Sequence, residues 1–424
     1  IRYNSSPDGT GYLFRYNENF PAFLLMSIIV ALFMGLSVSA EEITRDRKIL
    51  KRESFLHLSW NSYLLSKLVI LFSLSALQTF TFVAIAHLLL QVEWKMLLPF
   101  WFTLFSVSCL GNVMGLNISS AFRSTVTVYI MIPLLLIPQM ILSGLLFRFE
   151  KLNDVLGTRG KTPIIADMMA SRWAYEAMAV YQFQNNSYEA PFYYFDKIAS
   201  QANYKATYLS DELEKRWEFI EEHQGDNRDS ISQLVRKNLG VIREAMLHEP
   251  YRVGFNASDL LTDWNLVEHT ANEHTMKPYL GGYKKYYQDI HNRAVVSRES
   301  LITTMEAENG YDVTAEKNRY YNESLADLLT NVSEKNRIIE YEGKLVQQID
   351  PVFQDPHPGH LIDYRAHLFA PRKNLLGVLV STYGFNMFVI WLMTLVLYGT
   401  LYGKLLRKIV SSLGFRTRNT RIVK

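Results

Sequence analysis

The stretch Glu41–Ser54, EEITRDRKILKRES, separates two long apolar segments of the chain. It holds five Lys or Arg and four Asp or Glu in fourteen residues, whereas the twenty residues before it, Pro21–Ala40, hold no charge. Twenty apolar residues in a helix span about 30 Å, the hydrocarbon thickness of a bilayer. The charged stretch is therefore predicted to be a loop between two membrane-spanning helices, and its Lys and Arg content places it on the cytoplasmic side.

The same apolar pattern predicts an all-α polytopic helical bundle with five spans, at residues 21–40, 63–90, 96–122, 124–147 and 375–403. The remaining segments are predicted as an extracytoplasmic loop (1–20), a cytoplasmic loop (41–62), an extracytoplasmic insert (148–374) and a basic cytoplasmic tail (404–424). Helical spacing of apolar residues predicts that the insert is mostly helical, with the Tyr- and Gly-rich piece Tyr279–Tyr287 as a connection or a cap. Two prolines in the fourth span, Pro133 and Pro138, should kink it.

Charge is divided unevenly along the chain. Residues 148–372 hold 26 Lys or Arg against 34 Asp or Glu, whereas the rest holds 18 against 7. The basic excess falls on the predicted cytoplasmic side, as expected for an integral membrane protein. It is a property of the membrane flanks, so we expect no nucleic-acid partner. With Cys109 as the single cysteine, the insert has no disulfide, which favours a bacterial inner membrane.

We find no catalytic constellation, and motifs that suggest a ligand have simpler interpretations. Gly157–Thr162 is half of a phosphate loop, but Val155 stands where the motif needs its first glycine, so a turn is predicted. His357 and His360, near Asp355 and Asp363, could ligate a metal, although their Pro- and Gly-rich surroundings favour a plain loop. We therefore expect no cofactor or metal on this chain.

Polar residues in the third predicted span leave two interpretations open. Asn112, Asn117, Ser119 and Ser120 could line a path through the membrane, or they could form hydrogen bonds between helices. The predicted spans hold no Asp, Glu or Arg at mid-membrane depth. That composition disfavours a proton-coupled carrier, which needs a buried titratable group.

Four short stretches stand out in order along the chain: Arg47–Glu53 (RKILKRE), Tyr63–Lys67 (YLLSK), Leu142–Leu146 (LSGLL) and Ser171–Ala177 (SRWAYEA). In order, spacing and topology they resemble the membrane half of ABC exporters of the G subfamily and of their bacterial type-2 relatives. The resemblance covers Asn17 to about Phe183 and, by position, the last span. Glu176 departs from the pattern, which has a small residue there.

The resemblance implies that the five spans are the second to sixth of six. The first span and an ATP-binding cassette domain, which carries the ATP and Mg²⁺, would then precede Ile1 in a longer protein or, for the ATPase, form a separate subunit. It also implies a homodimer, or a pair of half-transporters, in contact with membrane lipid.

The resemblance further implies two groups of functional residues. The first group would contact the ATPase and consists of Glu42, Arg45, Arg47, Lys51 and Glu53. The second would line the transport pathway or its exit gate and consists of Phe33 or Met34, Ile137, Met140, Leu145 and Leu146.

Three functions are compatible with these features. The leading hypothesis is the permease domain of an ATP-driven exporter, and uncharged spans suggest a lipid-like or amphipathic substrate. The alternatives are a mechanotransmitter, which passes ATP-driven motion through the insert to an envelope partner without transport, and a membrane-anchored receptor.

Overall fold

The computed structural model describes residues 11–53, 59–122, 124–146, 162–223, 228–247, 249, 273–356, 360–361 and 363–420. The chain divides into two compact units. We call Ile1–Ser187, Ala315–Ala326 and Asp355–Lys424 the membrane unit, and Tyr188–Thr314 and Asp327–Gln354 the insert unit.

The membrane unit is built mainly from helices. In chain order they are α1 (Phe20–Ser39), α2 (Glu42–Glu53), α3 (Trp60–Leu90), α4 (Leu97–Ala121), α5 (Thr125–Ile141), α6 (Ile164–Asp167) and α7 (Ala170–Asn185). A hairpin of β3 (Arg372–Leu375) and β4 (Val378–Ser381) follows the insert and leads into α14 (Thr382–Tyr402) and α15 (Leu405–Thr420).

Among the described residues, four helical segments are long and apolar enough to cross a membrane: Phe20–Arg47, Trp60–Leu90, Trp94–Ala121 and Thr382–Tyr402. The prediction of an all-α polytopic membrane protein is therefore confirmed. Helix α5 is apolar but has only 17 residues, so a span there stays a prediction. It runs through Pro133 and Pro138 as one helix.

The last membrane helix begins later than the sequence pattern predicts. Residues from Leu375 to Ser381 are apolar enough to extend the span, but they lie in the β3–β4 hairpin, and α14 begins at Thr382. The two turn residues have positive φ, 53° at Leu376 and 90° at Gly377, which ends any helix there. The Asn374 side chain holds the turn by accepting from the Gly377 amide at 2.9 Å.

Helices α1 and α4 pack closely because glycines replace side chains at their crossing. A Cβ on Gly111 would lie 2.7 Å from the Leu32 carbonyl oxygen, closer than such atoms can approach. A Cβ on Gly35 would collide with the Ser108 carbonyl oxygen, and one on Gly115 would collide with α1 in the same way. Small residues four apart allow this kind of backbone approach between helices in a membrane.

Buried polar residues of α4 form hydrogen bonds to neighbouring helices. Asn112 donates to Ser75 of α3 at 2.7 Å, and Ser108 donates to the same hydroxyl at 2.9 Å. Asn117 donates to the Leu397 carbonyl of α14 at 3.0 Å. Of the two interpretations of these polar residues, the structure favours helix–helix hydrogen bonds over the lining of a path.

The insert unit contains the helices α8 (Tyr193–Asn203), α9 (Ser210–Glu222), α10 (Asp229–Leu247) and α11 (Glu273–Asn309), a π-helical turn at Tyr204–Leu209, and a hairpin of β1 (Ile338–Tyr341) and β2 (Lys344–Gln347). Two short helices, α12 (Val313–Tyr320) and α13 (Glu323–Thr330), each contain residues of both units. The piece Tyr279–Tyr287 is not a connection: it lies inside α11.

The insert unit has a hydrophobic core of its own. Tyr279, Tyr283 and Tyr287 recur at a spacing of four residues, so they fall on one face of α11, and all three are buried. They pack with Trp217 and Ile242 in this core. A core of this kind explains how the unit folds although its sequence contains no cysteine.

The segment before α1 is fixed to the membrane unit and is more than a free loop. Asn322 donates to the carbonyl oxygens of Phe14 at 2.9 Å and Asn17 at 3.0 Å. Arg15 forms an ion pair with Glu323, and the Phe14 ring is buried against Phe20. Residues 315–326 thus belong with the membrane unit, although they are far along the insert in sequence.

The α1–α4 crossing gives a first prediction. Gly111→Ala should lower the free energy of unfolding by about 1–3 kcal/mol, because the added methyl group forces two backbones apart. The measurement is thermal unfolding of the detergent-solubilised protein.

The matched control is Gly399→Ala in α14, where no atom lies within 4 Å of the added methyl group. Alanine there should raise stability by about 0.5–1 kcal/mol, since glycine is a poor helix former. Equal effects of the two substitutions would contradict the close packing.

Candidate functional site

Helix α2 is the structured form of the charged stretch between the first two spans. It carries Arg45, Asp46 and Arg47 in its first half, whereas Ile43 is buried against α3 and α4. The apolar side thus holds the helix against the bundle, and the charged residues fall on the remaining sides.

Ser119 at the end of α4 binds the first turn of α2. Its hydroxyl accepts from the backbone amides of Ile43 at 3.1 Å and Thr44 at 3.0 Å. The Thr44 hydroxyl donates to the Ser119 carbonyl oxygen at 2.9 Å. Free amides at a helix N-terminus need such acceptors, so Ser119 acts as an N-terminal cap supplied by another helix.

Arg47 binds the carboxyl end of α4. Its guanidinium donates to the carbonyl oxygens of Phe122 at 2.8 Å and Ser119 at 3.2 Å, and to that of Ser120 at 3.4 Å. The last carbonyls of a helix lack partners within the helix and carry partial negative charge, so a cation is favoured there. The two helix ends therefore cap each other.

A group of ion pairs connects α2 to α3. Lys67 lies 2.6 Å from a carboxylate oxygen of Glu42 and 2.7 Å from one of Asp46. The Tyr63 hydroxyl donates to Asp46 at 3.0 Å. All four side chains are partly buried, which protects these contacts from screening by solvent.

The structure divides the residues predicted to contact the ATPase. Glu42 and Arg47 are engaged inside the chain, whereas the side chain of Arg45 is 66% exposed and pairs with Glu42. Lys51 and Glu53 lie in α2, but their side chains are outside the described part. Sequence reasoning did not identify Ser119, Asp46 and Lys67 as the residues that hold α2.

The residues predicted to line a pathway lie on α1, on α5 and in the turn after α5. Phe33 and Ile137 are exposed, and Met34 and Met140 are partly buried. Leu145 and Leu146 follow Gly144, which has a φ of 91°, and Leu146 is exposed. Helices α1 and α5 pack against each other, so the first four residues belong to neighbouring helices.

Helix α5 presents an apolar face that nothing in the described chain covers. The exposed residues of this face recur every three or four positions and are Val126, Ile130, Leu134, Ile137 and Ile141. A face of this kind in a membrane protein contacts lipid or another helix.

A buried cluster of charges connects α7, β3 and α14. Glu176 on α7 and Lys373 on β3 are almost fully buried and lie 2.6 Å apart. Glu176 also accepts from the Asn386 amide at 3.0 Å and from the Phe369 backbone amide at 3.1 Å. Arg172, one turn before Glu176, lies over the Trp173 ring and 3.2 Å from Asp167.

The environment of this cluster shifts several pKa values. Burial, with the nearby charge of Arg172, lowers the pKa of Lys373 to about 8. Burial also opposes the charge of Glu176, but Lys373 and Arg172 outweigh it and lower the pKa of that carboxyl. Burial raises the pKa of Asp167. Glu176 and Lys373 thus form an ion pair in which burial disfavours the charged form of Lys373.

Sequence reasoning noted Glu176 only as a departure from a small-residue pattern. The charge in an otherwise apolar box, SRWAYEA, was the available signal. Its partner, 197 positions later along the chain, could not be inferred from spacing.

No metal centre is found among the described residues, where no three His, Cys, Asp or Glu lie close enough to hold an ion. His360 is exposed, whereas His357 and the half phosphate loop up to Lys161 lie outside the described residues.

The buried cluster gives a second prediction. Glu176→Gln should destabilise the protein by about 3–5 kcal/mol, because it leaves Lys373 buried without its carboxylate. Replacing both residues with methionine should recover part of that loss, since an apolar pair leaves no buried charge. Thermal unfolding of the single and double variants tests this.

The loss in Glu176→Gln should depend on pH. The pKa of Lys373 is below its ordinary 10.5 in the folded protein and should fall further without Glu176, so the unfolded chain binds more protons. Stability then rises with pH, and the deficit against the parent protein should be smaller at about pH 9 than at about pH 7. A deficit independent of pH would contradict this account.

Comparison with known proteins gives a family match for the part of the chain that contains the first helices of the membrane unit. Residues 7–183 match the family model described as ABC-2 type transporter. No curated protein and no solved structure matches the chain. The match covers α1 to α5 and most of α7 and ends before the insert unit. Membrane domains of this kind work with ATP-binding cassette partners. Residues 7–183, less than half of the chain, are therefore similar to the membrane part of ABC-2 type transporters.

Proposed function

We propose that the chain is the permease of an exporter in which α2 couples an ATPase to the spans. The observation that carries the proposal is the mutual capping of α2 and α4 through Ser119 and Arg47. Because hydrogen bonds join α2 to α4 both at Ser119 and at Arg47, a displacement of α2 would also displace α4. The exposed side chain of Arg45 is suited to meet the ATPase.

Motion of α4 would in turn reach the other spans. Helix α1 follows because the glycine contacts leave no space for sliding, and α14 is joined through Asn117 and Thr400. The ion pairs of Lys67 with Glu42 and Asp46 link α3 to α2, so α3 belongs to the same set of connected helices. A transporter needs an element with two states that ATP and substrate both bias, and this connected set is our proposed element.

The exposed face of α5 supports a paired permease. We propose that it faces a second half-permease across a cleft that includes Phe33 or Met34, Ile137 and Met140. Leu145 and Leu146 would close the exit of that cleft. An apolar lining suits a lipid-like or amphipathic substrate. The proposed location is a bacterial inner membrane, with the insert outside the cytoplasm and an ATPase at α2.

The coupling proposal is tested in the complete transporter. Arg45→Ala should leave thermal stability unchanged but weaken the coupling of ATP hydrolysis to transport, because this side chain is exposed. Arg47→Ala should also uncouple the two activities and should lower stability by about 1 kcal/mol, since three carbonyl oxygens lose their donor. ATPase activity and transport in proteoliposomes are measured together.

The control is Arg407→Ala, which removes an exposed positive charge from α15 and should change neither activity. Parent-like coupling in both the Arg45 and Arg47 variants would overturn the role of α2.

A mechanotransmitter is the second candidate function, and the independent core of the insert unit favours it. A unit that folds around its own core can act on an envelope partner. Trp217→Ser should disrupt that core, because the indole is buried and donates to Glu221 at 2.7 Å. The loss should be about 3–5 kcal/mol.

This substitution separates the two candidates. An exporter should keep ATP-driven transport in the Trp217 variant, whereas a transmitter should lose its effect on the envelope while ATP hydrolysis continues. Leu234→Ala, at an exposed position on α10, is the matched control. An effect on the envelope that the Trp217 variant loses, in a parent protein that shows no ATP-driven transport, would count against the exporter proposal.

A further inference from the structure

The β3–β4 hairpin exposes an unusual run of apolar residues. All five residues from Leu375 to Leu379 are exposed, and the side chain at the tip, Leu376, is 72% exposed. No charged residue occurs between Asn374 and Ser381. Consecutive exposed apolar residues on a strand are unfavourable in water and invite aggregation, so they indicate a partner surface.

The turn itself does not require this composition. The β1–β2 hairpin has strands of the same length and the same two-residue turn, with φ of 51° at Glu342 and 74° at Gly343. In β3–β4 the corresponding residues are Leu376, at 53°, and Gly377, at 90°. Leucine is disfavoured at positive φ, where Asn, Asp or Gly is usual. The backbone conformation therefore does not account for Leu376, and a polar residue would suit it better.

Neighbouring residues extend the apolar surface. Leu361 is exposed, and its Cδ2 lies 2.9 Å from where a Cβ on Gly377 would be. Asn374 fixes this arrangement by donating to the carbonyl oxygens of Leu361 at 3.1 Å and Asp363 at 3.0 Å. Leu361 thus adjoins the hairpin and extends its apolar surface.

The base of the hairpin coincides with the beginning of a membrane helix. Strand β4 ends at Ser381, whose hydroxyl caps α14 by accepting from the Gly384 amide at 3.3 Å. In the first turn of α14, Tyr383 donates to the Pro99 carbonyl oxygen of α4 at 2.9 Å. The first turns of two candidate spans therefore meet at this level. Farther along α14, Phe388 and Leu392 continue the exposed apolar surface.

We propose that this hairpin sits in the boundary between headgroups and acyl chains of the bilayer, at the end of the membrane where α14 begins. Lipid is the occupant favoured by continuity, because only one peptide bond separates β4 from a membrane-spanning helix. The outer edges of a two-stranded hairpin have unpaired backbone N–H and C=O groups. These groups make the hydrocarbon core an unfavourable location, whereas at the interface they can bind water and headgroups. This inference does not depend on the substrate or on transport.

The test measures the depth of the hairpin tip in the bilayer. Leu376→Cys is labelled with an environment-sensitive fluorophore in the full-length protein, reconstituted in phosphatidylcholine vesicles with nitroxides at the headgroup, the upper acyl chain or the chain end. Cys109 is buried and should not react, and any cysteines elsewhere in the full-length protein are replaced. Glu342→Cys, at the same turn position of the β1–β2 hairpin, is the matched control.

At position 376 we expect the headgroup and upper-chain nitroxides to quench at least about twofold more strongly than at position 342. A water-soluble quencher should show the opposite order. Leu376→Asn, combined with a label at Val378→Cys, should reduce quenching by lipid while retaining a favourable turn residue.

Two results would overturn the proposal. One is equal access of the water-soluble quencher to positions 376 and 342. The other is protection of position 376 from water without quenching by lipid nitroxides, which would indicate a second copy of the chain or another protein on the hairpin.

Discussion

Close contact between the backbones of α1 and α4 organises the membrane unit. Without side chains at Gly35 and Gly111, the two helices approach until carbonyl oxygens of one meet the backbone of the other. Lipid provides no hydrophobic force between helices, so contacts of this kind and hydrogen bonds must hold the bundle together. The amides of Asn112 and Asn117 supply such bonds to α3 and α14. The end of α4 is thereby fixed and can serve as the platform for α2.

Two groups of charged residues in the membrane unit have defined partners. Near α2, Arg47 binds the carboxyl end of α4, and Lys67 of α3 forms an ion pair with Glu42 of α2. Near α7, Glu176 and Lys373 are buried together, and a buried pair of this kind adds little net stability but makes the loss of either partner costly. Such pairs fix one arrangement of α7, β3 and α14 relative to each other. The membrane unit is thus held by hydrogen bonds between α2 and α4 and by an ion pair beside α7.

Some features of the structure were predicted correctly from the sequence, and others were not. The charged stretch and the apolar segments predicted a polytopic α-helical protein, because membrane insertion depends on composition that can be read locally. The same criterion was wrong about Leu375–Ser381, since an apolar segment beside a span can be a hairpin as well as a helix. The prediction for Tyr279–Tyr287 was also wrong: its glycines suggested a connection or a cap, although the tyrosine spacing of four residues fits a helix. Among the predicted coupling residues, the pattern could not separate exposed Arg45 from Arg47, which caps α4.

By itself, the sequence determined that this protein crosses the membrane in apolar helices, that a charged stretch lies between the first two, and that residues 7–183 resemble an ABC-2 type membrane domain. These are local properties, set by hydrophobicity and charge along short segments. Only the tertiary structure decided that Ser119 receives α2, that Glu176 finds Lys373, and that an apolar hairpin stands before the last span. The physical reason is that a hydrogen bond or an ion pair requires two groups within about 3 Å, and the separation of two residues along the chain does not fix their distance in space.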